Sequence, residues 1–189
     1  MWRWNILSYF NEKLGAKIKQ IRQEKKLSQT AFATELGRCS VRAEHLNKST
    51  ISRWEKGELL PNICTFFKFC HIYQIDANWL LDINLKFQMA YPLPNENLPG
   101  DDEILRRIGE KIRTARTSQG IELRELASHL DFRSLYSEKK PVPSTVSNWE
   151  SGLCKMQLSD LREICKRLKL DINHLLDAWC SVNFMLSWS

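Results

Sequence analysis

The amino-acid sequence predicts an all-α protein made of two tandem five-helix units joined by a linker containing Pro, Asn and Gly. Three observations lead there. The first is an internal repeat. Leu14-Gly15-x-x-Ile18-x-x-Ile21-Arg22 returns as Ile108-Gly109-x-x-Ile112-x-x-Ala115-Arg116, and Thr50-x-Ser52-x-Trp54-Glu55-x-Gly57 returns as Thr145-x-Ser147-x-Trp149-Glu150-x-Gly152. The second is the spacing of apolar residues at intervals of three and four, the period of a half-buried helix. The third is punctuation, with Ser, Asp and Gly standing where helices start and stop.

Taken in order, the first helix buries Leu14, Ile18 and Ile21, and its repeat buries Ile108, Ile112 and Ala115. Ser28 is a suitable N-cap for a second helix that buries Phe32, Ala33 and Leu36, matched by Leu126, Ala127 and Leu130. The third helix starts near Ser49 or Ser144, with Gly57 or Gly152 placed to end it in a left-handed turn. A fourth runs from about Asn62 to Tyr73, and again from about Ser159 to Leu168. Asp76 and Asp171 then cap a short fifth helix.

These elements divide the chain into residues 1–89, a linker over 90–103, and residues 104–189. Thirteen residues of that linker, Ala90 to Asp102, could reach ~40 Å at about 3.3 Å each, so the units need not touch. The apolar start, Met1 to Phe10, has no signal-peptide core and reads as a packing arm on the first unit. Trp179, Val182, Phe184, Met185, Leu186 and Trp188 are too apolar for a free tail, and either cap the second core or form a dimer contact.

Composition narrows the function. Apolar residues make up 43% and aromatics 10%, enough for packed cores, and the formal charge of +6 favours an acidic partner. No apolar run approaches the roughly 18 residues that would span a bilayer, so no membrane role and a cytoplasmic location are expected. The six cysteines form no Cys-x-x-Cys pair, and no metal or other cofactor is expected. An enzyme is disfavoured: the four histidines are scattered and the seven glycines make no phosphate-binding loop.

Gly15-x-x-Ile18-x-x-Ile21-Arg22, Leu27-Ser28-Gln29-x-x-Phe32-Ala33-x-x-Leu36-Gly37 and Ile51-Ser52-Arg53-Trp54-Glu55-x-Gly57 together resemble the Cro and phage-repressor (Xre-like) helix-turn-helix family. The likeness spans most of residues 12–82, and a weaker version covers 106–177. It implies that the third helix lies in the major groove of duplex DNA with the second across the backbone. It also implies that Gln29 contacts the edge of the site, with Thr30 beside it, and that Glu55 and Glu150 pair with Arg22 and Arg116.

The residues support this independently. In the third helix Ile51, Trp54 and Glu55 share one face, leaving Ser49, Ser52, Arg53 and Lys56 on the other, with Lys48 and Thr50 nearby. Arg53 can address guanine O6 and N7 together, and Arg38 and Arg42 can follow the phosphate backbone. The bland alternative is a solvated helix and loop. Against the family, the stretch between the second and third helices is long in both copies, over residues 37–48 and 131–142.

The copies are unequal. Residues 1–94 hold 14 Lys+Arg against 8 Asp+Glu, whereas residues 95–189 hold 14 of each. In the second copy Ser144, Ser147, Asn148 and Ser151 stand where Ser49, Ser52, Arg53 and Lys56 stood, and Thr145 matches Thr50. Pro143 replaces Lys48 and Leu123 replaces Gln29. Asn148 can still read adenine, and Arg124 can supply a cation from the second helix. The reading is therefore a sequence-specific double-stranded-DNA-binding transcription regulator, repression favoured over activation. The second unit supplies either another DNA contact or a homodimer or protein-partner contact. The rival is an antitoxin or anti-activator that uses the fold to hold a partner protein; RNA binding ranks third.

Overall fold

The computed structural model describes residues 3–38, 46–73, 75–83, 100–130 and 140–177. Among the described residues the chain is helical throughout, with no strand. Five helices come first: α1 (Arg3–Glu24), α2 (Gln29–Arg38), α3 (Lys48–Glu55), α4 (Ile63–Tyr73) and α5 (Ala77–Leu80). Five follow: α6 (Asp101–Ser118), α7 (Leu123–His129), α8 (Pro143–Glu150), α9 (Leu158–Leu168) and α10 (Ile172–Asp177). α1 and α2 pack on α3 as α6 and α7 pack on α8.

The apolar stripes read from the sequence face inward. Leu14, Ile18, Ile21, Phe32, Ala33, Leu36 and Ile51 are buried, as are Ile108, Ile112, Leu126, Ala127, Leu130 and Val146. Ala115 is half-buried, a smaller residue at the end of its stripe. Of the expected arm, Met1 to Phe10, the first two residues lie outside the described residues and the rest form the start of α1, with Phe10 in the core.

The third helices begin at Lys48 and Pro143, beside the expected starts near Ser49 and Ser144. In α3 the cap is Asn47, whose side-chain oxygen accepts from the Thr50 N–H (2.9 Å), so Ser49 lies inside the helix. α8 has Pro143 at its first position, where the missing N–H costs nothing. Val142 cannot cap with its side chain; instead its own N–H donates to the Thr145 hydroxyl at 3.4 Å. Gly57 and Gly152 adopt φ of +72° and +69°, the left-handed exit expected after a helix.

The two sets of helices are in contact. Their buried apolar residues form one continuous cluster, α5 packs on α10, and α4 packs on α6. The joint is polar at its centre and its bonds are exchanged. The Ala77 N–H donates to Asn173 Oδ1 (2.9 Å), and the Ile172 N–H donates to Asn78 Oδ1 (3.0 Å). Asn78 Nδ2 donates to Asp171 Oδ1 (2.6 Å), while Asn173 Nδ2 donates to Asp76 Oδ1 (2.8 Å). Asp76 and Asp171 also cap their own helices, as expected, accepting from the Asn78 and Asn173 N–H groups at 2.8 Å. Short helices leave most of their first N–H groups unpaired. Here the opposite half supplies an acceptor to each.

Two further links flank this joint. Lys68 on α4, only 2% exposed, donates to Asp101 at the start of α6 (2.6 Å). Arg162 on α9 donates to the Leu81 carbonyl (2.7 Å) and stacks its guanidinium over the Phe10 ring at 4.8 Å. The segment joining the halves lies mostly outside the described residues, as does the apolar tail from 178 onward.

Candidate nucleic-acid interface

The candidate face is the outer side of α3, and its orientation follows from what holds the inner side. Gly15 on α1 lets that helix touch the end of α3: a Cβ there would stand 2.8 Å from the Glu55 carbonyl oxygen and closer still to that of Trp54. Gly109 faces Glu150 and Trp149 in the same way, with 2.6 Å to the Glu150 carbonyl oxygen. Any larger residue would push the helices apart.

Arg22 then clamps the end of α3. Its Nε and Nη2 donate to the two carboxylate oxygens of Glu55 (2.5 and 3.2 Å), and Nη1 donates to the Leu27 carbonyl (2.7 Å). Arg116 repeats the arrangement with Glu150 (2.6 and 2.9 Å) and the Ile121 carbonyl (2.7 Å). The paired guanidinium holds its proton more tightly in both halves, chiefly through the hydrogen bond to the carboxylate. The expected ion pairs are therefore present, and they fix the third helix against the first.

With Ile51 and Trp54 buried, the opposite side of α3 is open. Lys48, Ser49, Arg53 and Lys56 are exposed, while Thr50 and Ser52 are half-buried at its margins. Thr30, on the first turn of α2, is also exposed. Gln29 is less free than expected. Its Nε2 donates to Glu55 Oε2 (2.8 Å), so the amide extends the Arg22–Glu55 clamp. Arg42 lies outside the described residues, as does the side chain of Arg38 at the end of α2.

One participant was missed in the sequence. Glu58, just past the left-handed turn, lies 4.0 Å from Arg53 Nε and 3.8 Å from Lys56 Nζ, all three side chains being more than half exposed. The signal was available: the turn at Gly57 folds the chain back beside the last turn of α3. Such exposed pairs are weak, so the two cations can exchange Glu58 for another anion at small cost.

On α8 the matching face carries Ser144 and Asn148 exposed, with Thr145 and Ser147 half-buried, and Ser151 exposed beyond its end. It has no cation. Leu153, in the place of Glu58, is 77% exposed, and Val142 is 52% exposed at the other end. Arg124 is exposed on α7, where α2 has Thr30. Two further cations of the stretch between the second and third helices of this copy, Arg133 and Lys139, lie outside the described residues.

Among the described residues, no three His, Cys, Asp or Glu side chains are grouped so as to hold a metal, and no helix is long and apolar enough to cross a membrane. Residues 18–80 match the helix-turn-helix family, which places α2 and α3 inside the matched stretch. Comparison of the chain with curated proteins and with solved structures gives no match.

Proposed function

We propose that the chain is a sequence-specific double-stranded-DNA-binding transcription regulator, acting as a repressor in the cytoplasm at the nucleoid, with α3 in the major groove. The observation that carries this is the exposed Lys48, Ser49, Arg53 and Lys56 face. It is presented by a rigidly clamped helix inside the stretch that matches a helix-turn-helix family. Helices of that kind read base edges from the groove. Lys and Arg supply affinity by displacing counterions from phosphates, and Arg53 supplies discrimination through guanine. In this reading residues 1–89 and 104–189 are two helix-turn-helix units, and Gln29, Thr30, Arg38 and Arg42 support α3 along the phosphates.

The test is Arg53→Ala. One bidentate Arg–guanine contact corresponds to ~1–3 kcal/mol, so affinity for a selected duplex should fall about 10- to 100-fold. Circular dichroism should be unchanged, because the Arg53 side chain is 53% exposed. Undiminished binding would remove α3 as the reader.

A second reading has its own observation. The α8 face carries no cation and is flanked by exposed Val142 and Leu153, apolar groups of the kind a protein partner covers. It is the observation behind the second reading, an antitoxin or anti-activator that uses the fold mainly to hold a partner protein. A homodimer would need some surface other than α5 and α10, which the chain fills with its own two halves. The apolar tail beyond residue 177 is the candidate.

A further inference from the structure

We infer that a single chain spans two inverted DNA half-sites that are not identical, with guanine read by Arg53 in one and adenine read by Asn148 at the matching place in the other. This rests on the DNA-binding reading of α3 and extends it to α8.

The joint between the halves sets the geometry. Asn78 bonds the backbone of Ile172 and the carboxylate of Asp171, while Asn173 bonds the backbone of Ala77 and the carboxylate of Asp76. Each residue contacts the counterpart of the residue that contacts it, which is the signature of a two-fold relation; a head-to-tail stack would bring unlike surfaces together. α1 is tied to α5 as α6 is tied to α10, Lys17 donating to the Trp79 carbonyl and Lys111 to the His174 carbonyl. α1 also holds α3 as α6 holds α8, through the same glycine contact and Arg–Glu clamp, so the operation that exchanges α5 with α10 also exchanges α3 with α8. A pair of readers related by a two-fold axis matches inverted half-sites, because duplex DNA has two-fold axes of its own across the helix. In a homodimer those half-sites would be equal. Here both readers belong to one chain, so they are free to differ.

They differ at one informative position. Ser49, Thr50 and Ser52 recur as Ser144, Thr145 and Ser147, so most of the reading face is shared. Arg53 and Asn148, each immediately before the buried Trp54 or Trp149, are both exposed. Arginine suits guanine O6 and N7, and asparagine suits adenine N6 and N7. Lys48 and Lys56 become Pro143 and Ser151, so the α3 half-site is also the stronger of the two.

The experiment is selection of duplexes from a random pool by the full-length chain and by Asn148→Arg, with sequencing and with chains per duplex counted by sedimentation. The expected wild-type result is one chain per duplex on an inverted repeat. One position should be guanine in one half and adenine in the other. Asn148→Arg should turn that adenine into guanine and bind the resulting palindrome about tenfold tighter than wild type does. The inference is overturned by a single enriched half-site, by two chains on a palindrome, or by an Asn148→Arg motif equal to the wild-type one. Any of these, with binding still dependent on Arg53, leaves the reading of α3 intact. Absence of any enriched duplex removes both.

Discussion

Arg22 and Arg116 make the same three bonds in the two halves of the molecule, whereas Arg53 and Asn148, at matching exposed positions on α3 and α8, differ in charge and reach. The inner sides of the third helices are alike down to the glycine beneath them, and the outer sides diverge in charge. The difference teaches that the inner side is set by packing, where a displaced carboxylate or an added methyl is costly. The outer side is set by whatever it meets. A cationic face beside Glu58 and a neutral one beside Leu153 are therefore suited to different partners, or to different parts of one partner.

The strongest way to break this comparison is to attack the shared side. Glu150→Ala would leave Arg116, 9% exposed, buried without its carboxylate. Removing one partner of such a pair costs roughly 3–5 kcal/mol, so the urea midpoint should drop sharply. Glu55→Ala should cost nearly as much, because Glu55 also anchors Gln29. A large gap between the two variants would show that the halves are not built alike.

A smaller effect separates the halves by pH. Asp160, at the start of α9, is 7% exposed, and desolvation raises its pKa to about 6 from the usual 3.8. Its counterpart in α4 is the neutral Thr65. A carboxyl whose folded pKa is raised destabilises the fold above that pKa, and the penalty fades as pH falls from about 6 toward 3.8. Asp160→Asn should therefore stabilise the protein by about 1–2 kcal/mol at pH 7. The advantage should shrink progressively below pH 6, as followed by thermal unfolding across pH. A gain independent of pH would mean that charge burial is not the cause.

The smallest expected effect sharpens the outer side. Glu58→Gln removes the carboxylate near Arg53 and Lys56, and should tighten duplex binding about two- to threefold at low salt, with the gain vanishing at high salt. Leu153→Gln, at the matching position, should leave duplex binding unchanged.

Much of this was legible in the sequence. Helical periodicity identified the buried faces of α1, α2, α6 and α7, and local chemistry marked Gly57, Gly152, Asp76 and Asp171, because a cap acts within three residues of itself. The start of α3 was placed near Ser49, and it was the fold that made Asn47 the cap and Lys48 the first helical residue. The roles of Asn78 and Asn173 were invisible. Each acts on a residue more than ninety positions away, and a linker able to reach ~40 Å gave no reason to bring them together. The bond from Gln29 to Glu55 was equally invisible, because it depends on how α2 crosses α3.

The exchanged asparagines also bear on how the molecule opens. α5 has four residues and α10 six, too few to persist alone in water. Each borrows an acceptor for its first amide from the other, so neither can fray while its neighbour stays intact. The amide protons of Ala77 and Ile172 should therefore open together and, once their intrinsic rates are allowed for, exchange with solvent deuterium with one common opening free energy. Breathing at the joint is thus a single event shared by both halves, however differently their outer faces are dressed.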